Sequence, residues 1–270
     1  MSKPEVLISE GAVLLELHGG VAHLHLNRPE SANGLDIPTL QDLHAALMRC
    51  HGERRARVVL LTGSGANFCA GGDVHTFATK GDELPEYIRQ ATIYLQAAIS
   101  AMIHLDAPVI AAVQGFAAGG GGMGLVCAAD MVIAAESAKF LAGATRVAMA
   151  PDAGLSVTLP RLVGPRKAAE MLLMNPVIKA PEALALGLIN QVVADAELQD
   201  AAMACAQRMA EGAPRALAAT KRLLWAGMGL GIDAAMPEES RTVAALCRTA
   251  DVREGLAAVI EKRAAQFEGN

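Results

Sequence analysis

The sequence predicts an α/β protein whose last third is helical, and three patterns carry that expectation. Between residues 12 and 136, short β-branched runs alternate with longer stretches at helical spacing, the rhythm of a parallel or mixed sheet built from right-handed crossovers. Glycine-containing turns separate the runs. From about Ser156 onward, apolar residues recur at intervals of three and four almost without interruption.

The elements follow in order. "AVLLELH" (12–18) and "VAHLHLNR" (21–28) read as antiparallel strands joined by Gly19-Gly20, a hairpin signal. "IPTLQDLHAALMRC" (37–50) has helical periodicity with Pro38 near its start, where a missing N–H costs nothing. "RVVLLTGSG" (57–65) reads as a strand buried on both faces. The loop "ANFCAGGDV" (66–74) leads to a long helix through "LPEYIRQATIYLQAAISAMIHL" (84–105). "PVIAAVQG" (108–115) is the next strand, "GGMGLVCAA" (121–129) a small-residue helix, and "DMVIAAE" (130–136) another strand. "RKAAEMLLMN", "PEALALGLI", "AELQDAAMACAQRMAEGA", "PRALAATKRLLWAG" and the stretch to Phe267 then read as helices. The expected division is an α/β core over residues 1–200 and a helical region over 201–270. With no internal repeat or low-complexity linker, those last helices should dock on the core or on a neighbouring subunit.

Composition narrows the function classes. A hydrophobic fraction of 53% with 19% charged residues describes a packed globular chain of 270 residues, not a disordered one. A net charge of −5 with no block of Lys or Arg argues against nucleic acid and anionic membrane as partners. The five cysteines (Cys50, Cys69, Cys127, Cys205, Cys247) form no C-x-x-C pair, which points to reduced thiols in the cytoplasm. "MSKPEVLISE" lacks the basic start and apolar run of a secretion signal. The uncharged segment between Asp106 and Asp130 is long enough to span a bilayer, but Pro108, Gln114 and four successive glycines interrupt it. A buried strand feeding a buried helix explains it better.

Several candidate motifs fail on spacing. The glycines at 119–122 lack the Lys of a phosphate-binding loop and the position of a dinucleotide fingerprint. They leave instead a glycine-rich helix start, where a ligand can reach backbone N–H groups at the positive end of the helix dipole; close helix packing is the competing explanation. "FCAGGDV" (68–74) offers bare amides in the same way, and two such sources at neighbouring strand ends could converge on one oxygen as an oxyanion hole. "TGSGAN" is not a nucleophile elbow, because Thr62 takes the first glycine position. His23 and His25 share a strand face with no ligand spaced to complete a metal site, so they read as surface histidines. His75 is a weaker acid/base candidate beside Asp73.

Taken together, "HLNRPESANGLD", "RVVLLTGSGANFCAGGDV", "PVIAAVQGFAAGGGGMGL", "DMVIAAESAKF", "PDAGLSVTLPRLVGPRKAAEMLL", "EALALGLINQVV" and "VREGLAAVIEKRAAQF" resemble the crotonase (enoyl-CoA hydratase/isomerase) superfamily over nearly the whole chain. The resemblance implies a crotonase-like spiral of ββα units with a helical C-terminal trimerisation region, assembled as a homotrimer or homohexamer. It implies an acyl-CoA thioester substrate, with CoA part of the substrate and no metal or other cofactor. The thioester carbonyl would be polarised by the amides of Gly72 and of Gly121 or Gly120; one extra residue between Gly115 and Asp130 leaves that choice open. Arg28 and the backbone Ala70, Gly71, Asp73 and Val74 would line the CoA path, and Lys262 would approach the nucleotide phosphate, in one reading across a subunit interface.

The chain departs from the hydratase pattern at both carboxylates. Met123-Gly124 and Ala144 stand where hydratases place their two glutamates, making an apolar pocket that hints at a bulky or branched acyl group. Asp152, in "APDAG", resembles the aspartate of dienoyl-CoA isomerases and of ring-opening isomerases of phenylacetate breakdown. It also resembles the nucleophile of 4-chlorobenzoyl-CoA dehalogenases, but their histidine and pocket aromatic are replaced by Gln96 and Ala144. The favoured expectation is an enoyl-CoA isomerase with Asp152 as acid/base. A hydratase in the broad sense and a non-catalytic acyl-CoA-binding paralogue are the alternatives, and Asp152 as cap of the following helix is the structural one.

Overall fold

The computed structural model describes residues 3–270. The chain opens with β1 (Glu5–Ile8), β2 (Val13–His18), β3 (Val21–Leu26), α1 (Ile37–Gly52), β4 (Val58–Gly63), α2 (Val74–Ala78) and α3 (Leu84–His104). It continues with β5 (Val109–Val113), β6 (Phe116–Ala118), α4 (Gly119–Ala128), β7 (Met131–Ala135), β8 (Lys139–Leu141), α5 (Leu155–Val163) and α6 (Pro165–Met174). Then come β9 (Ile178–Lys179), α7 (Ala180–Ala185), β10 (Gln191–Val193), α8 (Leu198–Ala210), α9 (Pro214–Gly227), α10 (Ile232–Leu246) and α11 (Ala250–Glu261).

The main sheet runs β1-β2-β3-β4-β5-β7-β10, antiparallel through β3 and parallel beyond it. Gly19 and Gly20 both take positive φ, +57° and +85°, which is what a two-residue hairpin needs to match strand twist. The turn sets the β2–β3 register, opposing Leu15 to Leu24 and Leu17 to Ala22 on the buried face. β4 and β5 are buried along their whole length, as their unbroken apolar runs require. α1 begins where the Asp36 carboxylate accepts the Thr39 N–H at 2.9 Å, with Pro38 in its first turn. α1 packs on β2, β3 and α3, while α8 packs on β3, β4, β5 and β7. A second sheet, β6-β8-β9, is linked to the loop after β4 by a bridge between Cys69 and Ala117.

Three expectations are corrected. The helical reading beyond Ser156 misses β9 and β10; β10 completes the main sheet beside β7, but three residues are too few to show a period. The division at residue 200 cuts through α8, whose Leu198, Ala202, Cys205 and Ala206 belong to the core, so the peripheral helical region starts with α9. His23 and His25 are half-buried rather than surface histidines. Both hydrogen-bond the Thr62 hydroxyl, His23 at 2.8 Å, and His25 also meets Ser64 Oγ at 2.6 Å, because β4 pairs in parallel with β3 and sets Thr62 opposite His25. Burial, with repulsion from His25, pushes the His23 imidazole down to about 4.

The uncharged stretch before Asp130 is β5, β6 and the buried α4, and no helix among the described residues is long and apolar enough to cross a membrane. All five cysteines are free, and burial pushes the thiols of Cys50, Cys69 and Cys127 up to about 12.

A buried ion pair anchors the peripheral helices. Lys221 of α9 is 4% exposed; its Nζ donates to the carbonyls of Met102 (2.7 Å) and Ala107 (3.2 Å) and pairs with Asp130 Oδ2 at 2.8 Å. Asp130 also accepts the Trp225 indole N–H (3.0 Å) and the Val109 N–H (2.7 Å). One carboxylate thus ties α9 to the start of β5. Removing its cation leaves the charge uncompensated, which costs on the order of 3 kcal/mol. Lys221→Met is expected to lower the unfolding free energy by that order in urea denaturation, with α9 detaching first in hydrogen exchange.

Candidate active site

The loop after β4 is held open by its neighbours' backbones. Ala70 N–H donates to Ala32 O (2.9 Å), Leu35 N–H to Gly71 O (2.8 Å) and Asp73 N–H to Leu35 O (3.1 Å). On the other side Cys69 N–H donates to Phe116 O (3.0 Å) and Ala118 N–H to Cys69 O (2.8 Å). Between these bonds the Gly72 N–H has no acceptor among the described residues. Gly71, at φ +91°, lets this turn touch the start of α4: a Cβ there would lie 2.6 Å from Ala118 O and 3.0 Å from Gly119 Cα. The first turn of α4 has no side-chain cap, so the N–H groups of Gly119, Gly120 and Gly121 lack intrahelical partners. Gly72 and these three glycines line one cavity of about 270 Å³. Both candidates for the second amide, Gly120 and Gly121, are therefore at the cavity.

Arg28, expected along the CoA path, is not among the residues that line this cavity. Its guanidinium turns inward, donating to Gly34 O (2.8 Å) and Thr39 Oγ1 (3.1 Å) and pairing with Asp36 (3.1 Å) and Asp73 (3.4 Å). Those aspartates start α1 and α2, so Arg28 fastens two helix N-termini to the Gly71–Asp73 turn. Asp73 is buried. Burial works against its charge, but hydrogen bonds from Thr76 and Arg28 outweigh it and hold the carboxyl below the usual range. Asn33, which carried no role in the sequence reading, is 1% exposed and donates through Nδ2 to the carbonyls of Ser64, Asn67 and Phe68. Its place in "NRPESAN" was legible; its role as a strut under the loop was not.

Asp152 is the one carboxylate lining the cavity, and it does not cap the following helix. The N-cap of α5 is Gly154 with no side-chain hydrogen bond, and Leu155 N–H goes to the Asp152 backbone carbonyl at 2.9 Å. The carboxylate is instead packed on α4: a Cβ on Gly120 would fall 1.5 Å from Oδ1. Burial raises the carboxyl pKa above its ordinary value. Gly124, a hydratase glutamate position by resemblance, is closed by the same segment, since a Cβ there would lie 2.4 Å from the Ala153 Cβ. Ala153 itself holds φ +51° to pass so close.

Of the other expected residues, Ala70, Val74 and Ala144 line the cavity. Gly71 and Asp73 lie behind the turn and shape it rather than line it. Met123 is corrected: it is fully buried in the core, one helical turn deeper than the cavity-facing glycines. Lys262 is exposed at the end of α11, and nothing in this chain brings it to the cavity. His75 is exposed on α2, and neither it nor Gln96 lines the cavity. The walls are supplied instead by Leu35, Leu40, Phe77, and Ile88, Ala91, Thr92 and Leu95 of α3. The spacing of those α3 residues marks a helix face, but periodicity does not say which face meets a ligand. Arg146, Val147 and Met149, beside Ala144, complete the rim and were not foreseen.

Free glycine amides and a lone half-buried acid lining one largely apolar cavity agree with the wider similarity of the chain. The profile of the family described as enoyl-CoA hydratase/isomerase matches residues 16–270. The chain belongs to the enoyl-CoA hydratase/isomerase family. It is 39% identical over 262 residues to a Rhodobacter capsulatus protein named a probable enoyl-CoA hydratase, covering 97% of this chain and 100% of that one. It is 36% identical over 262 residues to an (E)-benzylidenesuccinyl-CoA hydratase of Thauera aromatica, covering 95% and 99%. The crystal structure of an enoyl-CoA hydratase from Polaromonas sp. JS666 superposes with a TM-score of 0.91 at 31% identity, over 96% of this chain and 100% of that one. The fold is thus the crotonase fold, and family membership makes the chain an enzyme of enoyl-CoA chemistry.

The raised pKa of Asp152 has a stability consequence of definite sign. An acid whose folded-state pKa exceeds its unfolded one destabilises the fold when ionised, and the cost is complete above the folded pKa and absent below the unfolded one. Asp152→Asn is therefore expected to unfold at higher denaturant than the parent at pH 8, with the two converging as the pH falls toward about 3. Equal midpoints at pH 8 would contradict the burial of an ionised carboxylate.

Proposed function

We propose that the protein is an enoyl-CoA isomerase, and the observation that carries this reading is the single uncapped carboxylate of Asp152 packed against the amide-bearing turn of α4. The thioester oxygen accepts from the Gly72 N–H and from the N–H of Gly121 or Gly120. Asp152 removes a proton from C2 of a 3-enoyl-CoA; the electron pair delocalises through C3=C4 and onto the thioester oxygen. The protonated Asp152 then returns the proton to C4, leaving the double bond between C2 and C3. Fixed amides in a cavity walled by apolar side chains stabilise the dienolate without reorganising, and desolvation moves the acid toward its working range. CoA enters as part of the substrate, along Ala70 and Val74, and the reaction calls for no further cofactor. The apolar residues Leu224, Ile232, Val259 and Ile260, exposed on α9 to α11, support assembly of copies into a trimer or hexamer.

Hydration of a 2-enoyl-CoA is the second reading, favoured by the names of the relatives. It asks one carboxylate to hold and activate water, without the second acid that Gly124 and Ala144 leave out.

Purified enzyme is to be assayed with 3-enoyl-CoA and separately with 2-enoyl-CoA, each beside Asp152→Asn. Conversion of 3-enoyl to 2-enoyl, lowered about 10²–10⁴-fold in the variant, is the expected outcome. Hydration that persists in Asp152→Asn would overturn the assignment. Acyl-CoA binding without turnover would mark a silent binding protein instead. Gly120→Ala, whose methyl displaces the carboxylate, is expected to lose isomerisation while acyl-CoA still binds.

A further inference from the structure

The cavity carries a second charge that the isomerase chemistry does not use. Among its lining residues the ionisable side chains are Asp152 and Arg146, and both lie on the 143–152 segment between β8 and α5. Arg146 is exposed at the rim. Its Nη2 donates to the Asn175 carbonyl at 2.6 Å, and no carboxylate among the described residues pairs with it. Capping the end of α6 in this way uses one of the five guanidinium N–H groups and leaves the rest free.

The mounting is built from buried parts. Asn175 is 4% exposed; its Oδ1 accepts the Gly143 N–H at 2.7 Å, its Nδ2 donates to Thr145 Oγ1, and its carbonyl fixes Arg146. A single buried residue therefore positions the backbone before Arg146, the side chain beside it and the guanidinium itself. A side chain needed only for solubility would not require this support. Arg146 also stands apart from the base: burial is what raises the Asp152 carboxyl, and no cation draws it down. The two charges line one cavity together with apolar side chains, Leu95, Ala144, Val147 and Met149 among them.

We propose that Arg146 is a specificity-determining residue that selects acyl groups bearing a second carboxylate, distal to the thioester. With the thioester at Gly72 and Asp152, an acyl chain crossing the apolar walls presents its far end to the free edge of the guanidinium. That edge matches a carboxylate in bidentate geometry. A purely alkyl chain would leave the guanidinium with water alone. This inference rests on the acyl-CoA reading of the cavity, though not on which reaction follows.

The test measures binding separately from turnover. Full-length enzyme is titrated calorimetrically with adipyl-CoA and hexanoyl-CoA, saturated thioesters of equal carbon number, and the pair is repeated with Arg146→Met and Arg146→Lys. The expected result is at least about tenfold tighter binding of adipyl-CoA by the parent, the order of a modest charge-assisted contact. The preference should vanish in Arg146→Met and be partly kept in Arg146→Lys. Equal affinities in the parent, or a preference that survives Arg146→Met, would overturn the proposal. The parent comparison alone decides if a variant is unstable. Selective binding of adipyl-CoA with no isomerisation of any 3-enoyl-CoA would end the isomerase reading and leave this one standing. Isomerisation of 3-hexenoyl-CoA without a carboxylate preference would do the reverse, and failure of both thioesters to bind would sink both.

Discussion

The site depends on one close approach between two stretches of backbone. Gly71 passes so near Ala118 and Gly119 that no side chain fits between them. This contact brings the loop after β4 and the first turn of α4 together, though the chain separates them by some fifty residues. The surrounding arrangement serves to hold it. The bridges from Leu35 and Phe116 grip the loop from both sides, Arg28 ties it to α1 and α2, and Asn33 collects three carbonyls beneath it. Each satisfies polar groups that would be costly to bury alone. The Gly72 N–H is left out of this bonding, which is the condition for an amide to serve a ligand.

The acid beside the amides is placed by the same economy of space. A glutamate on Gly124 is excluded by Ala153, and a side chain on Gly120 is excluded by the Asp152 carboxylate. The 152–153 segment therefore occupies the volume that side chains of α4 would need, and brings its own carboxylate into it. The absence of acids at Gly124 and Ala144 and the presence of Asp152 are two sides of one packing solution. Half-burying a carboxylate without a cation costs stability, and the positive φ at Ala153 adds strain. The rest of the fold offsets both, through the fully buried parallel strands and through the Lys221–Asp130 pair that anchors the C-terminal helices.

The loop that carries Asp152 also carries Arg146, and a different residue steadies each. Packing on α4 sets Asp152, whereas Asn175 at the end of α6 sets Arg146. A change at Arg146 need not disturb Asp152.

By itself the sequence determined β2, β3, α1, β4, α3, β5, α4 and β7, because those elements are long enough to show a pattern and are bounded by turn residues, whereas β6 and α2 were too short to read. It also determined the glycine-rich amide sources and the singularity of Asp152, since small residues and lone acids stand out in an apolar neighbourhood. Tertiary structure decided what local pattern does not encode. β9 and β10 are too short to have a period, and exist because β8 and β7 offer edges to pair with. α8 joined the core because the sheet had an apolar face to cover. Arg28 lay in a motif that suggested ligand contact, but it turned inward once Asp36 and Asp73 came within reach from distant positions. Met123 fell below the cavity because the direction of α4 was set by its glycine contacts. The sequence allowed Asp152 to cap the following helix as well as to serve as acid/base; the structure leaves α5 without a side-chain cap and packs the carboxylate against Gly120. Side-chain direction depends on neighbours far along the chain, and there the local sequence is silent.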